Sequence, residues 1–165
     1  MKLKRILVPT DFSDEALRAL DYAVALGEPF GAAVTVLFAL ERAQFMEMGH
    51  VYSAPVSPVK LLEEQRRAAK AELADLAARL AKRGVKVRTL LREGTPHRAI
   101  VDAAKQPGTD LIVMGTHGRT GMSRLLLGSV AELVIRHAPC PVLTVRGGKP
   151  RKPRTGTTRP PRSSR

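Results

Sequence analysis

The strongest constraint on this chain is an alternation between two hydrophobic periods. Short apolar runs of β-formers, too brief for helices, separate longer stretches in which apolar residues recur every three or four positions. The first run is Lys-Arg-Ile-Leu-Val-Pro-Thr at 4–10, bounded by charges and then by Asp11-Phe12-Ser13. Ser13 stands as a helix N-cap, with Asp14 and Glu15 where a helix dipole favours anions. Ala16, Leu17, Leu20, Ala23, Val24 and Leu26 then follow at helical spacing until Gly27, Pro29 and Gly31 end the element.

The alternation repeats. Ala33 to Leu40 reads as a buried strand, and Pro58 to Arg83 as a long helix stopped by Gly84. Val85 to Leu91 is the third strand. Thr95-Pro96 opens a helix in the N-cap and N1 arrangement, which Pro107-Gly108 breaks. Leu111 to Met114 is the fourth strand, a glycine-bearing loop follows, a helix runs from about Ser123 to His137, and Val142 to Val145 closes the pattern. Five strands alternating with four helices predict an α/β fold: a single doubly wound domain with one parallel sheet covered on both faces. The segment Gln44 to Ser57 fits neither period and is expected to be a loop or lid.

Charge and composition narrow the function classes. The net charge of +13 suggests a nucleic-acid footprint until it is divided along the chain. Residues 147–165 hold seven Lys or Arg and no acid, leaving 21 basic against 15 acidic residues in 1–146, a balance of +6. That tail contains only Gly, Pro, Ser, Thr, Lys and Arg, so it is expected to be disordered, beside a folded domain at 1–146. It has no aromatic residue for base stacking, which disfavours sequence-specific nucleic-acid reading. Binding of nucleic acid or an anionic surface through counterion release is the competing function class, and a solvated, solubilising tail its plain alternative. No apolar run is long enough to cross a membrane or to serve as a signal h-region, and the single cysteine, Cys140, excludes an internal disulfide framework. A cytoplasmic protein without membrane insertion is expected. Cys140, flanked by prolines, reads as a small buried hydrophobe.

In an open parallel sheet, ligands sit beyond the carboxyl ends of the strands, where helix N-termini present unpaired N–H groups. Two segments leave strands there: Pro9-Thr10-Asp11 and Gly115-Thr116-His117-Gly118-Arg119-Thr120-Gly121. The second has glycines at 115, 118 and 121, suited to close backbone approach to a phosphate chain or to positive φ. Gly128-Ser129 follows, within or beside the last helix. Turn glycines and a helix-packing glycine would look the same. Neither a Walker A sequence nor a GxGxxG fingerprint is present.

The spacing Gly115-x2-Gly118-x9-Gly128-Ser129 resembles the ATP-binding pattern of universal stress proteins without a gap. Ile6-Leu7-Val8-Pro9-Thr10-Asp11-Phe12-Ser13 is similar to that family's opening strand. Asp110 to Gly118 is similar to its fourth strand and loop, and Gly128 to Ala131 with His137 to Leu143 to its closing helix and strand. The likeness spans about residues 3–146. It implies a five-stranded open α/β sandwich of the adenine nucleotide alpha hydrolase-like type, with ATP, accompanied by Mg2+ or Mn2+, across the carboxyl end of the sheet.

By that resemblance, Pro9 and Asp11 would border the adenosine, with Asp11 near the ribose or a metal ion and Thr10 also in the nucleotide site, and Ala39 would offer backbone contacts to adenine. Met114 and Gly115 would continue the pocket, and Gly118, Arg119, Gly128, Ser129 and Val130 would surround the phosphates. Read on their own, Asp11 could cap the first helix, Arg119 could be a solvated loop charge, and Met114 could be core. Ala39 is smaller than the aliphatic residue usual at its place, which matters little to a backbone contact. His117 is expected to support the loop. Sequence inspection finds no partner beside His117, Arg119 or Asp11 that would make a hydrolytic centre, and no catalytic residue is assigned. The expectation is an ATP-binding regulator with little or slow hydrolysis. It would act on a protein partner the sequence does not name and form a homodimer through its last strand, an exposed sheet edge.

Overall fold

A computed structural model describes residues 3–41, 58–106, 108–117 and 127–146. The elements are β1 (Arg5–Thr10), α1 (Asp14–Gly27), a short 3-10 turn (Glu28–Phe30), β2 (Ala33–Leu40), α2 (Pro58–Lys82), β3 (Lys86–Glu93), α3 (Pro96–Lys105), β4 (Leu111–Gly115), α4 (Ser129–His137) and β5 (Val142–Val145). All strand pairs are parallel, in the order β3-β2-β1-β4-β5. The five strands, four helices and doubly wound α/β class expected from the periodicity are present. Loop 44–57 and tail 147–165 lie outside the described residues.

The two faces of the sheet are covered by different helices. Side chains alternate along a strand, so Ile6 and Val8 face one layer and Leu7 the other. Ile6 and Val8 pack with Leu20, Ala23 and Val24 of α1 and with Leu73, Leu76 and Leu80 of α2. Leu7, Leu37, Ile112 and Met114 pack with Ile100 and Ala104 of α3 and with Ala131 and Val134 of α4. Burial on both faces is the reason the inner strands read as unbroken apolar runs.

Helix α1 starts as its sequence predicts: the Ser13 hydroxyl accepts the Ala16 N–H at 3.3 Å, with Asp14 and Glu15 in the first turn. Gly27 at its end is needed for close approach, since a Cβ there would stand 3.0 Å from Ile6 Cδ1. The last helix departs from expectation. It begins at Ser129, not near Ser123, and Leu127 and Gly128 are non-helical. Gly128, at φ −63° and ψ 146°, occupies the N-cap, and its own N–H is drawn to the Thr116 carbonyl at 2.9 Å. A tertiary bond to β4's exit therefore sets the start of α4.

Proline in a central strand is unusual, and Pro9 shows what it does here. The Arg5 carbonyl accepts from Asp110 on the β4 side and the Lys4 carbonyl from Ala33 on the β2 side. By alternation, the backbone of Pro9 faces β4, where it has no N–H to donate. Pairing of β1 with β4 accordingly stops at Leu7↔Ile112, whereas pairing with β2 continues to Thr10↔Phe38. The two central strands part at their carboxyl ends.

Candidate functional site

A cavity of about 540 Å³ opens where β1 and β4 part. Its size lies in the range typical of small-molecule sites, roughly 300–1,000 Å³. The β1 end contributes Pro9, Thr10 and Asp11; β2 contributes Ala39; β4 contributes Met114 and Gly115; and the start of α4 contributes Gly128, Ser129 and Val130. Nine sequence-predicted residues from four separate stretches thus line one cavity. The other two, Gly118 and Arg119, lie outside the described residues.

The turn after β1 is held by its own side chains. The Phe12 N–H donates to Thr10 Oγ1 at 3.0 Å, and Asp11 Oδ1 accepts both the Ser13 N–H at 3.0 Å and the Ser13 hydroxyl at 2.5 Å. Ser13 is the helix cap, so Asp11 does not cap α1; it braces the capping residue. Phe12 adopts φ 63°, the left-handed region that favours glycine, and its ring stacks on Phe38 with centroids 5.0 Å apart. A conformation of this kind in a bulky residue persists only where its surroundings enforce it.

At the other rim, the first-turn N–H groups of α4 have no intrahelical acceptor, and its cap residue Gly128 carries no side chain to satisfy them. Such a terminus suits anions. Of the two uses expected of the glycines, neither Gly115 nor Gly128 has positive φ, and both allow close approach. A Cβ on Gly128 would stand 2.8 Å from the Thr116 carbonyl oxygen, and one on Gly115 would stand 3.2 Å from Glu15 Cβ. These two glycines let parts of the chain meet one another. Met114, 5 % exposed, belongs to the core and also lines the cavity.

Sequence reading missed part of the site. His117 has a partner after all: Glu15, 102 residues earlier, whose Oε2 accepts the His117 N–H at 3.0 Å and stands 3.5 Å from Nδ1. No local signal could have joined them. Gln65, Ala68, Ala69 and Glu72 of α2 also line the cavity, on the helical spacing of a single face, as do Pro96 and Ile100 of α3. Pro96 could have been found, because it opens the helix that follows β3's carboxyl end. Among the described residues, no group of three His, Cys, Asp or Glu could hold a metal ion.

A parallel sheet in the order 3-2-1-4-5, with its crevice between β1 and β4 and a glycine-capped helix N-terminus at the rim, defines an open α/β domain of the adenine nucleotide alpha hydrolase-like fold. The model of the universal stress protein family matches residues 2–146, and the chain belongs to that family. It is 40% identical over 149 residues to universal stress protein MJ0531 of Methanocaldococcus jannaschii, covering 90% of this chain and 84% of that protein. Its fold matches the solved structure of MJ0577 from the same organism with a TM-score of 0.79 at 32% identity, covering 90% of this chain and 99% of the other. A universal stress protein from Archaeoglobus fulgidus solved in complex with dAMP matches with a TM-score of 0.61 at 27% identity, covering 88% and 99%. Another solved in complex with cAMP matches with 0.65 at 25% identity, covering 88% and 98%. Among the described residues, no helix is long and apolar enough to cross a membrane.

Proposed function

We propose that this protein binds ATP in the crevice between β1 and β4 and acts as a nucleotide-dependent regulator in the cytoplasmic stress response, with little or slow hydrolysis. The observation that carries the reading is the convergence of nine expected site residues, from four stretches of sequence, on one cavity. Relatives of the same fold bind adenine nucleotides, cAMP and dAMP. The base would lie against Ala39 and Met114, the ribose or a metal ion near Asp11, and the phosphates at the N-terminus of α4 with Gly118 and Arg119. A guanidinium, a serine hydroxyl and unpaired N–H groups all suit phosphate oxygens. Magnesium or manganese would be held chiefly through the phosphates, since no described protein cage exists to bind it. A homodimer through β5, the sheet edge, and an unnamed protein partner complete the proposal.

Calorimetric titration of ATP with magnesium into nucleotide-free protein and into Gly118→Val tests it. Saturable binding with Kd on the order of micromolar, lost in the variant, is expected. Absence of binding to the wild type would refute the reading and leave the basic tail as the guide to function.

A further inference from the structure

Glu15 lies outside the glycine motif and is not among the residues lining the cavity, yet it holds the place where the glycine loop leaves β4. Its Oε2 accepts the His117 N–H at 3.0 Å and stands 3.5 Å from the Thr116 hydroxyl and from His117 Nδ1. Thr116, 4 % exposed, is held from two more sides: its N–H donates to the Val145 carbonyl at 3.1 Å, and its carbonyl accepts the Gly128 N–H at 2.9 Å. The stem of the loop is thus pinned by β5, by the start of α4 and by a carboxylate from α1. A carboxylate accepting a backbone N–H forms a charge-assisted bond, stronger than a neutral one. Its position in the first turn of α1 also lets the helix dipole stabilise the charge.

The same helical turn reaches the other half of the site. Asp11 Oδ1 accepts from the N–H and hydroxyl of Ser13, Ser13 caps α1, and two residues later Glu15 grips His117. We propose that Glu15 is a positioning residue for the Thr116–His117 stem beyond β4 and, through the Thr116 carbonyl, for the N-terminus of α4. Through the first turn of α1 it ties the turn at Asp11 to that stem and helix start, so that preference for ATP over adenosine depends on it. The proposal rests on the ATP reading above and assigns no ligand contact to Glu15.

The test compares ATP and adenosine binding, by calorimetry, in wild type, Glu15→Ala, Glu15→Gln and Asp14→Asn, with amide hydrogen exchange followed at His117 and Gly128. Asp14→Asn removes a neighbouring first-turn charge with no bond to the loop among those observed, so it isolates the dipole effect. Glu15→Ala is expected to weaken ATP about ten-fold while adenosine stays within about two-fold. It should also speed exchange at His117 by about ten-fold. Glu15→Gln, which keeps an acceptor oxygen, should recover much of both, and Asp14→Asn should move neither. Equal weakening of ATP and adenosine, unchanged exchange at His117 in Glu15→Ala, or an Asp14→Asn variant that reproduces the loss would each overturn the assignment. Wild-type protein that binds neither ligand overturns the ATP reading and the coupling together. Binding with unaltered ATP preference in both Glu15 variants overturns the Glu15 assignment alone.

Discussion

The backbone N–H of Gly128 donates to the Thr116 carbonyl at 2.9 Å, and a Cβ on Gly128 would stand 2.8 Å from that same oxygen. The neighbour is backbone and cannot swing aside, so Gly128→Ala must push α4 away from β4's exit. Loss of about 1–3 kcal/mol is expected from overpacking, with ATP binding weakened by about ten-fold or more. Gly31→Ala is the contrast: φ is 59° with nothing within 4 Å of the added Cβ. Its penalty, about 1 kcal/mol, is conformational. Chemical denaturation and calorimetry on both variants check this. Equal effects on ATP would show that the Gly128 contact does not shape the site.

Phe12 combines an unfavourable backbone with a favourable ring stack, and the two separate at a single position. Phe12→Ala and Phe12→Gly both lose the ring, but only alanine keeps the left-handed strain. The glycine variant should be more stable than the alanine variant by about 1 kcal/mol, despite its greater unfolded-chain entropy. Denaturation midpoints that rank them the other way would mean the turn relaxes once the ring is gone.

Asp110 Oδ2 accepts the N–H groups of Lys4 and Arg5, both at 2.8 Å, tying the start of β4 to the residues entering β1. These two backbone hydrogen bonds hold its carboxyl below the usual carboxylate range. A folded pKa below the unfolded one contributes stability above the ordinary aspartate value and loses it as pH falls through the lowered value. Asp110→Asn should therefore lose less stability than wild type between about pH 5 and pH 2. Parallel pH profiles of urea midpoints would contradict this.

Burial and the nearby Asp110 charge push the Cys140 thiol up, so it remains protonated at neutral pH. Alkylation by iodoacetamide at pH 8 should run slower in the native protein than in urea, because only the thiolate reacts. A native rate equal to the denatured one would place the thiol in open solvent.

Strand β5 ends the sheet. The Pro141 carbonyl accepts from Ile112 and the Val145 carbonyl from Thr116, so by alternation the backbone of Thr144 faces the open edge. Thr144→Pro deletes a donor from that edge and none from the β4 ladder. If the edge pairs two copies, sedimentation equilibrium should show wild-type dimer and variant monomer. Leu143 of this strand, 36 % exposed, leaves apolar surface there. A monomeric wild type at micromolar concentration would end the dimer proposal.

The fold was legible because its signals are local. Ile6-Leu7-Val8 and Leu111 to Met114 are unbroken apolar runs since both faces of each strand are covered, and Ser13 announces α1 through a bond spanning three residues. The start of α4 was misjudged because Leu125, Leu126 and Leu127 extend an apolar pattern upstream, while the Gly128 to Thr116 bond is tertiary. Strand ends and the family resemblance marked Pro9, Asp11, Gly115 and Gly128 but left Gln65, Glu72 and Ile100 unmarked. Those side chains are ordinary helix-face residues until α2 and α3 pack beside the cavity.

The sequence alone determined the order and type of the elements, the doubly wound class and the stretches that would meet at a ligand site. Order and class follow from periodicity and capping, carried by neighbours along the chain, and the site stretches from the strand ends and the family resemblance. Tertiary structure decided which contacts those stretches make. Pro9 parts β1 from β4 because the strand order turns its missing N–H toward β4, and Glu15 meets His117 across 102 residues because α1 packs beside the exit of β4. Partners chosen by packing leave no periodic trace in the sequence.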